Sequence, residues 1–557
     1  MKYLLIRILF ISTLFSNPEK VFTQEFSETS KIENFSRIWG FLKYYHPAIN
    51  RENIDWDSTY LKITSEIIET NTTSYNKILS QLIDNLGVID TCESCENIER
   101  YPEEWKRNFE ITWIMNDSML SKSCKERLIN IFDNRYQGEG NNCSYTWGVN
   151  VKAGTIDFKN EKNYNDSLLI NDYRYRLLTL ARFWNAIEYF YAYKYLLSND
   201  WDSVLLKYIP IFKNPSTLED YHLNVIRMIH EIEDTHAGTG HSRYLLKNKW
   251  NRKFPFDIIT IQGKILVSEI RFPVLNEINN IEIGDEILEI NGKPINRNEM
   301  WDLCKGSNEN ITNRSIDAQL LFGNTDKVNA KIKRNGIIIE TEITRYPFSS
   351  FWNYPFTKKP SLIIKRNYSI INLGSITRET VDSIMNIAIK SNAIIFDLRD
   401  YMDISYYDIR EFMNNESKPF FRAYEPSLID IGIFKPVIIE HYENKNTNPY
   451  KGKIIVIVNE FTQSKGEFLA MFFQSLPNTI IIGSQTAGTD GTITQILLPG
   501  NINANFTNII IEYPDGSQSQ KTGVKINKTI KLSADDIING IDPYMEFAEK
   551  IAKQSKK

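Results

Sequence analysis

Cysteine is scarce in this chain, with five in 557 residues, and that excludes a dense disulfide scaffold. A basic excess is missing as well. Sixty-five Lys and Arg stand against 69 Asp and Glu, for a net charge of -4, so a nucleic-acid partner is not expected. Low complexity is also absent. With 42% hydrophobic and 24% charged residues, 25 Gly and 19 Pro, the composition is that of folded globular protein, not of a collagen-like or disordered chain. Beyond the first residues, no uncharged apolar stretch reaches the roughly 20 residues that cross a bilayer as a helix. The length calls for about three to five domains.

What is present begins with Lys2 and an apolar stretch from Leu4 to Ser16, broken only by Arg7. A positive start followed by a hydrophobic segment of this length reads as a signal peptide, residues 1–23. The expected mature chain is exported to the periplasm or the extracellular space and has no integral membrane span. Cys92 and Cys95 form a C-x-x-C, Cys124 and Cys143 follow, and Cys304 stands alone. In an oxidising compartment the first four would supply one or two local disulfides. The alternative is a zinc ion held by all four thiolates.

Residues 37–62, RIWGFLKYYHPAINRENIDWDSTYLK, and 182–207, RFWNAIEYFYAYKYLLSNDWDSVLLK, agree at nine of 26 positions at a constant offset of 145. Random pairing would give roughly one or two agreements, so a duplicated unit is implied. Each copy reads as an aromatic-rich helix, a loop, and a second helix opened by W-D-S, whose Asp or Ser would cap the free amides. Each copy trails into an Asp-Thr pair, Asp90-Thr91 and Asp234-Thr235, and only the second continues as His236-Ala237-Gly238. The division expected is a helical domain over 24–165 and a second helical copy over 166–250.

From Phe254 to about Arg345 the pattern turns to short strands. In Ile283–Gly292, apolar and polar residues alternate, and Asn291-Gly292 supplies a tight turn. This stretch resembles the signature of PDZ domains, which bind extended peptides on a sheet edge. The resemblance implies a module over 251–350 with Gly284, Asp285, Ile287, Asn291 and Gly292 at its peptide-binding part. The alternative is a β-rich spacer.

The remainder, 351–557, alternates buried-type strands with helices: AIIFDL from Ala393, KIIVIVN from Lys453, TIIIG from Thr479. Ser464 opens a helix directly after a strand and a short turn. Ser-x-x-Glu, with Glu467, is a capping box. The same strand–turn–helix also displays a nucleophilic serine where helix amides can hold an oxyanion.

The segment VIVNEFTQSKGEFLAMFFQ, the Gly-x-x-Thr-x-Gly of Gly483, Thr486 and Gly488, the D-L-R of Asp397–Arg399, and Asp515-Gly516 with Gln520 and Gly523-Val524 together resemble the tail-specific/tricorn-core family of serine peptidases. The likeness covers about residues 175–550. It implies a multidomain α/β fold with a ClpP/crotonase-like core, an inserted PDZ-like β domain and a helical N-terminal region. It also implies Ser464 as nucleophile, with Glu467, Thr486 and Gly488 in support.

A serine hydroxyl needs a base. One branch of the family uses a lysine about 25 residues on, where this chain has Thr489. The tricorn-like branch uses a histidine in a Ser/Thr-His-Ala motif, matched by Thr235-His236-Ala237, and only six histidines occur. A ring with a near-neutral pKa suits the task, so His236 is the expected base, ahead of His230 and His241. Thr235 and Gln520 match the polar partners of that branch. The Lys465 amide is the expected oxyanion donor, with a second from Asp400-Tyr401, where the family has glycine.

The function expected is an exported serine endopeptidase acting on peptides or unfolded protein tails, without metal or organic cofactor. The competing expectation is an inactive protein of the same fold that binds peptides or hydrophobic ligands. Oligomeric state is not legible.

Overall fold

The computed structural model describes residues 26–52, 54–147, 154–238, 242–355, 358–413, 419–437 and 448–555. The expected leader lies outside the described residues, as does His241. Among the described residues no helix is long and apolar enough to cross a membrane.

The duplication is visible in three dimensions. Helices α1 (Glu28–Tyr45), α2 (Trp56–Ile68) and α3 (Thr72–Asp84) form one unit. Helices α4 (Tyr173–Phe190), α5 (Trp201–Lys213) and α6 (Leu218–His230) form the other. Asp55 and Asp200 cap the W-D-S helices, accepting from Ser58 N at 3.2 Å and Asp202 N at 3.3 Å. A buried indole N–H needs an acceptor, and both units solve this identically. Trp39 and Trp56 each donate to the other's carbonyl at 3.0 Å, and Trp184 and Trp201 do the same at 3.0 and 3.1 Å.

The two units also face each other reciprocally. Arg37 of the first reaches Asp202 of the second at 3.1 Å, and Arg182 of the second reaches Asp57 of the first. Tyr44 meets its equivalent Tyr189 edge-on, with centroids 5.5 Å apart. Gly40 lies against its equivalent Asn185, whose Oδ1 would stand 1.8 Å from any Cβ added there. Reciprocity of this kind belongs to two-fold, isologous interfaces; here it lies within one chain.

The cysteines divide. Cys92 and Cys95 form a disulfide, whereas Cys124, Cys143 and Cys304 are free and buried. The expectation that Cys124 and Cys143 join the staple is corrected. Cys124 faces Ser80 Oγ at 3.3 Å and the Asn76 carbonyl at 3.6 Å, and Cys143 opens a β-ribbon strand. Burial pushes the Cys143 thiol up to about 12. With one pair oxidised, the four-thiolate zinc alternative loses its ligands.

The middle module is an antiparallel sheet. Its strands β1 (Asp257–Ile261), β2 (Lys264–Glu269), β3 (Glu286–Ile290), β4 (Lys327–Arg334) and β5 (Ile337–Thr344) run in the order β5-β4-β3-β2-β1. Helix α7 (Glu309–Leu320) lies along β1. Asn291 and Gly292 adopt φ 50° and 71° in the expected turn. Of the five residues expected at the peptide-binding part, Asp285, Ile287 and Gly284 make contacts within the framework. Arg334 grips buried Asp285 with two 2.7 Å bonds, Ile287 sits in the module's core, and Gly284 abuts the backbone of Ile538. The sheet ends in β5 on one side and β1 on the other, and at the β1 edge Thr260 N donates to Asp317 of α7 at 2.8 Å.

The α/β unit has strands β6 (Leu362–Ile364), β7 (Tyr368–Asn372), β8 (Ala393–Asp397), β9 (Lys453–Val458) and β10 (Thr479–Gly483), in that order, closed by the pair Lys528–Thr529. All but β6 run parallel. Both faces are covered, which explains the continuous apolar runs. Ile454, Val456 and Val458 join the core under α8 (Lys465–Ser475), while Ile455 and Ile457 join that under α9 (Pro543–Gln554). A hairpin, β11 (Ile493–Leu498) and β12 (Ile502–Thr507), leaves this unit and buries Ile496, Leu498, Ala504 and Phe506 in the helical core. The fold class is the one expected: an α/β core, an inserted β module and a helical N-terminal region.

Candidate active site

Chain leaving β9 turns through Asn459–Gln463 and enters α8 at Lys465. Ser464, at the joint, holds φ 52° and ψ -118°. A non-glycine residue at such a φ stores roughly 1–3 kcal/mol. A capping serine takes extended dihedrals; this one does not, and its side chain makes no cap bond. The capping-box expectation is therefore corrected. Ser464 is instead held by its backbone, its N–H donating to the Thr489 carbonyl at 2.8 Å and its carbonyl accepting from Phe468 N at 2.9 Å. Among the described residues the hydroxyl makes no hydrogen bond, and no acceptor takes the Lys465 N–H at the open helix start.

The Asp400-Tyr401 loop lies beside this turn. Thr462 Oγ1 donates to the Leu398 carbonyl at 3.0 Å, and Lys465 Nζ donates to the Met402 and Asp403 carbonyls, each at 3.4 Å. The same ammonium lies 5.8 Å from the Tyr401 ring centre. Arg399 braces the loop from behind by bridging Asp397 and Asp542, and Lys359 pairs with Asp400 at 2.7 Å.

Glu467 is a clasp rather than a cap. Its buried carboxyl accepts from Thr486 Oγ1 at 2.5 Å, Gly488 N at 2.9 Å and Thr489 N at 2.8 Å. Burial nevertheless pushes it up to about 8. The expected glycine motif has steric reasons. Gly488, at φ 67°, approaches the Lys521 backbone, where a Cβ would stand 2.8 Å from the carbonyl carbon. Thr486 also accepts from Val524 N at 2.9 Å, joining this loop to the Gln520 segment.

His236 follows α6. Its half-buried ring has Nδ1 2.9 Å from Thr507 Oγ1 at the end of β12. Burial holds its pKa below the ordinary histidine value, with the Asp234 charge opposing that shift. A hydroxyl accepting from Nδ1–H leaves the Nε2 lone pair for an incoming proton.

Among the described residues neither Thr235 nor Gln520 hydrogen-bonds to the imidazole. Thr235 exchanges three bonds with Ser307: its N–H and Oγ1 donate to Ser307 Oγ at 2.9 and 3.0 Å, and its Oγ1 accepts from Ser307 N at 3.0 Å. That ties the histidine segment to the middle module, not to the imidazole. The Gln520 amide is buried, with neither polar atom hydrogen-bonded among the described residues. His230 turns Nδ1 to the Lys305 carbonyl at 2.7 Å.

Three residues that the sequence did not single out complete the arrangement. Fully buried Asp234 accepts from His236 N at 3.0 Å and Thr489 Oγ1 at 2.6 Å on one oxygen, and from Thr507 N at 3.0 Å on the other. Ser464 and His236, on separate units and far apart in sequence, are thus joined through Thr489, Asp234 and Thr507. Local signals existed. Asp234 recurs as Asp90 in the first copy, and Thr489 occupies the position of the other branch's lysine.

Residues 370–530 match peptidase family S41, and residues 251–346 match a PDZ domain. Among solved structures, mature CPAF complexed with lactacystin has a TM-score of 0.54 at 14% identity, covering 68% of this chain and 98% of its own. A CPAF mutant gives 0.55 at 13%, covering 69% and 97%. At such identities the likeness is one of fold. A putative peptidase from Parabacteroides merdae ATCC 43184 has a TM-score of 0.41 at 14% identity, covering 68% and 96%. No curated protein matches the chain in sequence.

Proposed function

From an S41 peptidase domain joined to a PDZ domain, we propose the finer reading of an exported serine endopeptidase that cleaves peptides or unfolded protein tails. Ser464 is its nucleophile and His236 its general base, as in the tricorn-like branch. As Ser464 Oγ bonds to the scissile carbonyl carbon, its proton passes to His236 Nε2, and the carbonyl electron pair moves onto oxygen. The Lys465 N–H, with one from Asp400 or Tyr401, receives that oxyanion. Collapse expels the amine, which takes the proton back from His236. Water then repeats the sequence on the ester and frees Ser464.

One observation carries this reading: a serine with an unengaged hydroxyl, held at a strained φ beside an unengaged helix-start amide, shares a buried network with a neutral-leaning histidine. The division into a leader over 1–23, helical copies over 24–165 and 166–250, a peptide-binding module over 251–350 and a peptidase unit over 351–557 belongs to the same proposal.

The test is labelling by a serine-directed phosphonate together with cleavage of an unstructured peptide. Wild type labels and cleaves; Ser464→Ala does neither. If wild type is inert in both assays, the protease reading fails and the second reading takes its place, a ligand-binding protein without turnover. That second reading draws on Ser464 Oγ and His236 sharing no hydrogen bond among the described residues, although such bonds commonly tighten only with substrate.

A further inference from the structure

We propose that Asp234 is a positioning residue that registers the two halves of the site, acting on Ser464 through Thr489 and on His236 through Thr507. The inference rests on the reading of Ser464 and His236 given above. It adds residues outside the partners implied by family resemblance, since Thr235 is engaged by Ser307 and Gln520 makes no hydrogen bond among the described residues.

The argument begins with the supply of donors. A carboxylate with no solvent must have its oxygens satisfied, and Asp234 draws its donors from three separate pieces of chain. His236 N comes from its own turn, Thr489 Oγ1 from the loop after β10, and Thr507 N from the end of β12. Each donor sits one step from the chemistry. The Thr489 residue that donates to Asp234 also accepts the Ser464 N–H on its carbonyl. The Thr507 whose amide meets Asp234 also offers its hydroxyl to His236 Nδ1. His236 is bound by its own amide.

Moving Asp234 therefore moves nucleophile, base and base-orienter together. Glu467 holds Thr489 from its other side through the Thr489 amide, so that residue is fixed at three points: amide, carbonyl and hydroxyl. A displacement of about 1 Å at reacting groups can cost on the order of 100-fold in rate.

The role also has an electrostatic side. Asp234 is the charge that opposes the burial of His236. Of the other charged groups nearby, Glu233 is paired with Lys305 and Lys521. The carboxyls of Glu467 and Asp490, on the Thr489 side, are raised by burial. Removing the Asp234 charge, or the Thr507 acceptor of an imidazolium Nδ1–H, destabilises the protonated ring. Either change moves the acid limb of the rate profile to lower pH.

The experiment compares Thr489→Val, Thr507→Val, their double variant and Asp234→Asn, with Thr489→Ser and Thr507→Ser as conservative controls, in the full chain on an unstructured peptide. Each valine variant is expected to lower kcat about 10–100-fold with KM little changed, and serine to restore most of the rate. The double variant should fall well short of the product of the two, because both act through one carboxylate. Thr507→Val and Asp234→Asn should shift the acid limb down, and Thr489→Val should leave it in place. Should Asp234→Asn fail to fold, the near-isosteric valine variants decide alone. Wild-type rates and profiles in both valine variants overturn the proposal while Ser464→Ala remains inactive. Equal activity in wild type and Ser464→Ala would instead overturn the reading on which it rests.

Discussion

Arg182 is completely buried against Asp57, whereas Arg37, its counterpart in the other helical unit, meets Asp202 with that carboxylate 43% exposed. One contact, written twice by the duplication, has come to lie in two dielectric environments. Arg182 also faces Glu161 at 2.8 Å, so its loss takes the guanidinium from two buried carboxylates at once, leaving Glu161 with Lys43 and Asp57 with the Tyr164 hydroxyl. Arg182→Ala is expected to cost about 3–5 kcal/mol in urea unfolding, and Arg37→Ala no more than about 1 kcal/mol. Equal costs would mean that burial does not distinguish the pair.

Ser464 makes an unusual stability forecast. Were it a helix cap, replacing it would cost roughly 1 kcal/mol. Because it sits at φ 52° without a cap bond, glycine should adopt the same backbone at lower cost. Ser464→Gly is expected to raise Tm slightly while eliminating phosphonate labelling. A lowered Tm would restore the capping role.

Two buried carboxyls near the site set a pH dependence of stability. Burial raises Glu467 to about 8 and Asp490 to about 7, above the roughly 4 they have when unfolded. The folded state then holds protons that the unfolded state has released. This contribution is undiminished below about pH 4 and is lost as pH rises through 7 to 8. Glu467→Gln should flatten the decline between pH 5 and 8 in denaturant titrations. A steeper decline would count against it.

Thiol counting checks the cysteine assignment. Native protein should react slowly with iodoacetamide, since Cys124, Cys143 and Cys304 are buried. Unfolding without reductant should expose three thiols, and reduction should add the Cys92–Cys95 pair. Mass spectrometry showing a disulfide at Cys124 or Cys143 would contradict the structure.

The elements most legible in sequence are those whose residues answer to local rules. The W-D-S caps, the Asn291-Gly292 turn and the doubly covered strands at Ala393, Lys453 and Thr479 all appear where expected. The duplicated helices are as clear, because nine shared positions survive over 26. Residues whose role depends on distant partners carry no such local signature. Glu467 satisfies the local pattern of a capping box, yet its carboxyl is taken by three donors on a loop that only folding brings near. Thr235 adjoins His236 in sequence but bonds to Ser307, on the far side of the β1–β3 region. Asp285 sits in a peptide-binding signature and is spent on Arg334. Thr507 could not be read at all, since it is an ordinary strand-end threonine until the β11–β12 hairpin carries it to the histidine.

The paired helical units have a consequence for dilution and for divergence. Two separate subunits meeting through such a face would come apart as their concentration fell, whereas a tether keeps each at a local concentration on the order of millimolar. The scaffold beneath His236 therefore persists in a single molecule, however dilute the surroundings. Covalent pairing also releases one half from the duties of the other. After Asp90-Thr91 the first copy continues with Cys92, where the second continues with His236. A symmetric pair of identical subunits would have to keep or lose that histidine twice over; this chain keeps it once.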